Sequence, residues 1–372
     1  MRKRIMVALL ICAMLVTTAV GCGKKSADEG SGDTSTDTNT EDGGDAKASG
    51  EIAVMVPSAD HGWTGAVLTY AQEEAEKLNG EGGDITVKVY AATDVENQIQ
   101  QVDDLLSNPD ALAGIVILPY DNGLQSTLEK IAVADIPFVQ FDRVIESDII
   151  DEKVIANVKG DNEGIGYETA KRFIDNGLTK DDYVYEMIGD NSSVPELRSK
   201  GFRDYLSEQG WTDEEIEKVV IKSAATGWSR DTGKELFESW FSSSQCDTSK
   251  KNWIFTHDDE IAMGVLESLN GSALDASKKD AFVDSLQALS ASSGLAEIYA
   301  VLGSTHKTIA YPDTFEVFSV TYDPAMIQEA TEVMVDYLNG GKDIEQNYVI
   351  PVSVVDKDNV GEFKPFGTYE GK

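Results

Sequence analysis

Basic residues are scarce in this 372-residue chain: 31 lysines and arginines stand against 66 aspartates and glutamates, a formal charge of -35. That balance excludes nucleic acid as a partner, because phosphate binding draws its free energy from counterions displaced by lysine and arginine. Cysteine is rarer still, with three in all. Cys12 and Cys22 fall in the N-terminal stretch, so Cys246 stands alone and no internal disulfide framework is available. Cys246 precedes Asp247 in a polar segment without a neighbouring histidine, the setting of a bystander thiol and not of a nucleophile. Signatures of catalysis are missing too. There is no Gly-x-Ser-x-Gly elbow, no His-Glu-x-x-His metal helix and no Walker loop, and Gly164-x-Gly166 lacks the third glycine of a dinucleotide loop. An enzyme is therefore not expected, and neither is a metal or a cofactor.

The N-terminus carries an address. Arg2, Lys3 and Arg4 precede an apolar run, Ile5 to Val16, and then small residues before Cys22, which is the layout of a signal peptide over residues 1–21. The run is too short to span a bilayer comfortably, since that takes about 20 apolar residues. Ala19-Val20-Gly21-Cys22 resembles a bacterial lipobox, which implies lipidation of Cys22 and a location on the outer face of the cell membrane or in the periplasm. Residues 23–50 are mainly Gly, Ser, Thr, Asp and Asn and cannot bury enough apolar surface to order themselves, so 22–50 reads as a lipidated cysteine and a flexible tether.

From Glu51 the texture changes. Ile52 to Val56 is a short apolar run ended by Pro57, followed by a helical pattern through Val67, Tyr70, Ala71, Ala75 and Leu78. Strands are predicted at 85–89, 114–118 and 136–141, with helices between them, Asp94 capping one. The alternation begins again with strands at 154–158, 183–188, 218–222 and 253–256, then near 283–289, at 315–321 and at 348–354. Such alternation predicts two similar α/β lobes, each a doubly wound parallel sheet with helices on both faces.

Ligands of open α/β sheets bind outside the carboxyl ends of the strands, so the residues that follow each strand are the candidates. These are Asp60, His61 and Trp63; Tyr120, Asp121 and Asn122; Asp142 and Arg143; Asp190, Asn191 and Arg198; Trp228 and Arg230; and His257 and Asp258. Carboxylates and guanidinium forks make paired hydrogen bonds to vicinal hydroxyls, while indoles cover the C–H face of a ring. A purely acidic set would favour a cation and a purely basic one a phosphate. The mixture points to a neutral polyol.

Several stretches carry a family resemblance. Ile136 to Arg143 ends a strand in Asp-Arg, Val194 to Phe202 opens a helix bearing an arginine, Gly227-Trp228-Ser229-Arg230 offers an aromatic, and Thr256 to Gly264 places Asp258 before a helix; Val354 to Val360 closes the pattern. Residues 52–360 thereby resemble the type I periplasmic binding proteins of the ribose and galactose group. The resemblance implies a three-strand hinge with crossings near Ile155, Tyr322 and Pro351. It implies an N-terminal lobe of 51–155 plus 323–350 and a C-terminal lobe of 156–322 plus 351–366. It further implies a sugar held by Asp60, Asp121, Asp142 and Arg143 from one side and by Arg198, Trp228 and Asp258 from the other, with Tyr322 and Asp323 near the hinge. Such a protein serves as a monomer with an ABC permease and its ATPase, or as the sensor subunit of a membrane receptor. In this chain Leu289 to Gly294 sets hydroxyls where the family has a loop aspartate, and Ser58 to Trp63 lacks the double phenylalanine common in ribose binders.

Overall fold

The computed structural model describes residues 49–58 and 62–371. The signal segment, Cys22 and the tether expected before residue 49, and the site candidates Asp60 and His61, lie outside the described residues. No helix among the described residues is long and apolar enough to cross a membrane.

The chain alternates as its apolar periodicity requires. It runs β1 (Gly50–Pro57), α1 (Gly62–Glu81), β2 (Ile85–Ala92), α2 (Val95–Leu106), β3 (Leu112–Ile117), α3 (Gln125–Val133), β4 (Phe138–Phe141), α4 (Asp148–Lys153) and β5 (Ala156–Gly160). It continues through α5 (Asn162–Asp175), β6 (Tyr183–Met187), α6 (Ser193–Glu208), α7 (Asp213–Val219), β7 (Val220–Lys222), α8 (Arg230–Ser242), β8 (Asn252–Thr256), α9 (Asp259–Asn270), α10 (Ala276–Ser285) and β9 (Leu286–Ser293). Last come α11 (Ala296–Leu302), β10 (Glu316–Thr321), α12 (Met326–Leu338), β11 (Asn347–Ile350) and β12 (Val354–Val355). Local chemistry sets several starts: Asp94 accepts the Asn97 N–H at 2.7 Å, and Thr212 and Glu215 form a reciprocal capping box on α7.

Two six-stranded sheets result, in the orders β2-β1-β3-β4-β5-β11 and β7-β6-β8-β9-β10-β12. All pairings are parallel except β10 with β12. Each sheet buries both faces under helices, so β4 and β8 are buried along their whole length. The expected pair of doubly wound lobes is therefore present.

Sheet membership corrects the sequence reading in particular places. The strand expected to open the second half is β5, and it pairs with β4 through Val139 and Ala156 and with β11 through Asn157 and Asn347. The chain thus leaves the first sheet after Gly160, because apolar periodicity identifies a strand but not the sheet it joins. The single strand expected at 348–354 is two: Pro351, which has no N–H to give to a ladder, separates β11 in the first sheet from β12 in the second. Helices α7 and α10 occupy the fronts of segments read as strand. Elements that follow one another belong to different sheets at three points, after β5, between β10 and α12, and between β11 and β12.

Candidate functional site

Each sheet has its second strand in sequence outside its first, so the crossovers leave to opposite faces between β1 and β3 and again between β6 and β8. A crevice forms at the carboxyl ends of such a pair. The loops from both crevices line one cleft. Its outer part has a volume of about 500 Å³ and is walled by Tyr120, Asp121 and Arg143 from the first sheet and by Asp190, Asn191 and Trp228 from the second. Its inner part measures about 30 Å³ and is bounded by Trp63, Asp142, Arg143, Val194, Arg198, Trp228, Asp258, Ser293 and Tyr322.

Arg143 joins the two halves of the cleft. One terminal nitrogen donates to the carbonyl oxygen of Tyr120, the other stands 3.7 Å from an Asp190 oxygen across the cleft, and Nε is buried with no partner. Asp190 also accepts the indole N–H of Trp228 at 2.8 Å and the Ser192 hydroxyl at 2.6 Å. Burial alone would push the Asp190 carboxyl up, but Arg143, Ser192 and Trp228 outweigh it and hold the group below the usual range. Asp121 accepts the Gly123 N–H at 2.7 Å, which fixes its loop at the rim.

Deeper in, Arg198 is only 2% exposed. It rises from α6, donates from Nε to Asn162 at 2.9 Å and from a terminal nitrogen to the carbonyl of His257, and lies 4.7 Å and 5.5 Å from the ring centroids of Tyr322 and Trp228. Asp258 begins α9, accepting the Glu260 N–H at 2.8 Å and the Ser293 hydroxyl at 3.1 Å. Burial, and then the charge of Asp259, push Asp258 up to about 8. Its carboxyl therefore holds its proton to a higher pH than an ordinary aspartate does. Asp259 turns away from the cleft and takes the N–H groups of Gly294 and Leu295 at 2.7 and 2.6 Å, fixing the loop after β9.

Backbone strain gathers here. Asp142 and Trp228 have φ of 61° and Ser293 of 135°, conformations that cost side-chain-bearing residues on the order of 1–3 kcal/mol each. The Trp228 ring lies so close to Gly189, just past β6, that a Cβ there would clash with three of its ring carbons.

Trp63, Asp121, Asp142, Arg143, Arg198, Trp228, Asp258 and Tyr322 are thus brought together. Three candidates are not. His257 is fully buried, with its ring nitrogen 3.2 Å from a Glu186 oxygen. Ser229 caps α8, and Arg230 leaves its first turn to pair with Glu260, Glu267 and Glu297 at 2.6, 3.2 and 2.6 Å, carboxylates of α9 and α11 that claim its whole guanidinium. Asp323 is exposed and accepts the Ala325 N–H at 2.9 Å, a turn contact before α12. Asn162, which holds both Arg198 and Tyr322, was missed by the sequence reading. Its signal was its place just past β5, a strand assigned to the wrong sheet.

The ribose import binding protein of Bacillus subtilis (strain 168) is 28% identical over 207 residues, which cover 55% of this chain and 60% of that relative's length. The match thus spans less than two thirds of that protein. Two solved structures share the fold. A galactofuranose binding protein is 22% identical with a TM-score of 0.66, over 84% of this chain and 96% of that one. The periplasmic component of the arabinose ABC transporter from Shewanella sp. ANA-3, bound to α- and β-L-arabinofuranose, is 19% identical with a TM-score of 0.67, over 84% and 93%. Residues 52–343, which include every loop that lines the cleft, match the model of the periplasmic binding protein domain, and the chain belongs to that family.

Proposed function

We propose that the protein is an extracytoplasmic solute-binding protein of an ABC importer, lipid-anchored through Cys22, that closes its two lobes on a monosaccharide or similar polyol as a monomer. The observation that carries this is the pairing of charge types from opposite sheets around one cleft: Asp121, Asp142 and Arg143 face Asp190, Arg198, Trp228 and Asp258. Carboxylates supply acceptors, guanidinium groups supply forked donors and the indole supplies an apolar face, the needs of a neutral hydroxyl-rich ring. Relatives named for ribose, galactofuranose and arabinose support the ligand class.

Binding works by differential contact. Only a ligand that touches both walls favours the closed arrangement, and that arrangement is what a permease recognises. The chemistry asked of the protein is recognition alone, with no bond made or broken.

A thermal-shift panel of sugars and polyols on the mature domain tests the proposal. A ligand at 100 times its dissociation constant adds about 2.7 kcal/mol of stability. Arg143→Ala and Trp228→Ala are expected to abolish the shift, while Arg230→Ala and Asp323→Asn, outside the cleft, retain it. A full shift in the first two would displace the site from this cleft.

A further inference from the structure

The chain continues past β12, and its last residues return toward the cleft from outside. Phe366 is buried, at 4% exposure, yet it lines neither part of the cleft. Its N–H donates to the Gly294 carbonyl at 3.0 Å and its carbonyl accepts the Ala296 N–H at 2.9 Å, so that it pairs with Leu295 as a single rung of a parallel ladder. Three residues on, Tyr369 stacks on His306 with 4.7 Å between ring centroids and 8° between planes, and its hydroxyl accepts the Lys307 N–H at 3.0 Å. The tail is thereby fastened on both sides of α11.

The turn that the tail grips is strained and carries a residue of the cleft. Ser293 ends β9 with a φ of 135°, a conformation that a residue with a side chain keeps only where its surroundings over-determine it, and its hydroxyl donates to Asp258 at 3.1 Å. From within, Asp259 takes the N–H groups of Gly294 and Leu295, and the Tyr322 N–H donates to the Ser293 carbonyl at 3.1 Å. The Gly294 carbonyl and the Ala296 N–H are left over, and α11 has no side-chain cap of its own, because Leu295 stands at that position. Phe366 supplies both missing partners. Leu295 in turn sits between Gly367 of the tail and Gly62 at the start of α1: a Cβ on these glycines would stand 3.6 and 3.5 Å from its Cδ1.

We infer that the C-terminal segment 364–371 is a brace for the ligand cleft and that Phe366 is a positioning residue, holding the turn that sets Ser293 against Asp258 without touching the ligand. This rests on the proposed sugar-binding function and adds to it a determinant of affinity outside the cleft. The backbone of Phe366 supplies the bonds to the turn. Its ring, withdrawn from water, keeps the tail in place to make them.

The test compares the mature protein with a deletion of residues 364–372, with Phe366→Ala and with Phe366→Leu. Amide hydrogen exchange is read without ligand, and affinity is read by calorimetric titration of the sugar that gives the largest thermal shift. In the deletion and the alanine variant the Ala296 amide is expected to lose its protection while the amides of β8 keep theirs. Affinity falls with it, because a turn that keeps its bound geometry in a tenth of the molecules weakens binding about 10-fold. Phe366→Leu, which retains an apolar anchor, is expected to stay within about 3-fold of the wild type. If the deletion fails to fold, Phe366→Ala carries the comparison. Unchanged affinity in a variant whose Ala296 amide exchanges freely overturns the brace while sugar binding stands. So does an Ala296 amide that stays protected without the tail. Loss of protection in β8 together with Ala296 overturns it too, because the tail would then serve overall stability alone. Failure of every panel sugar to bind the wild type overturns the functional reading, and the positioning role with it.

Discussion

Arg198 has two duties at once, because the groups that orient it are buried with it. Asn162 and the His257 carbonyl hold its guanidinium, and its removal leaves both without a donor at a place water does not reach. Each buried group so stranded costs about 1–3 kcal/mol. Arg198→Ala is therefore expected to lower the urea midpoint as well as to weaken ligand binding, whereas Arg143→Ala, at the half-buried rim, lowers binding with little change in the midpoint. Asp258 gives a second prediction at this scale. With Asp258 pushed to about 8 and Asp259 to about 6, the folded chain keeps protons that the unfolded chain has released. The stabilisation is complete below the ordinary carboxylate range and is lost as pH rises through 6 and then 8. Glu186, held near 2 by His257, Arg203 and Ser199 against the upward push of burial, acts in the opposite sense, losing its contribution as pH falls toward 2. Urea midpoints measured from pH 5 to 9 are expected to decline in the wild type, and Asp258→Asn is expected to remove the part of the decline between about 6 and 8.

Helices α5 and α6 meet through two glycines, and this contact delivers Arg198 to the cleft. A Cβ on Gly166 would overlap the Arg198 carbonyl oxygen, and one on Gly201 would overlap the Glu163 carbonyl oxygen. Gly166→Ala is expected to part the helices at an overpacking cost of about 1–3 kcal/mol, read from the urea midpoint. It should weaken ligand binding as well, although Gly166 touches no part of the cleft. At this level much of the architecture was legible beforehand, since buried strands such as β3, β4 and β8 are short, mostly apolar runs bounded by turn residues. The site candidates at strand ends were legible for the same reason: they follow those runs directly. Arg230 was not, because distinguishing a cleft arginine from one that pairs with Glu260, Glu267 and Glu297 requires knowing which way α8 faces after its Ser229 cap. Nor was the bond between Tyr322 and Asp142, whose partners are 180 positions apart and meet only once both sheets exist.

Contacts across the cleft bridge the two sheets of the molecule. Arg143 and Asp190 stand 3.7 Å apart across the mouth, and both are partly shielded from solvent. Small-angle scattering is expected to show a smaller radius of gyration when a tight ligand is added to the mature domain, and no compaction would contradict the closure scheme. The way the chain passes between the sheets has another consequence, for the order of events during synthesis. The first sheet is finished only by α12, which packs on it, and by β11; the second is finished only by β12. A nascent chain that has not yet reached Asn347 therefore holds two sheets that are each missing an edge strand, and the two halves gain their last strands one directly after the other, within residues 347–355.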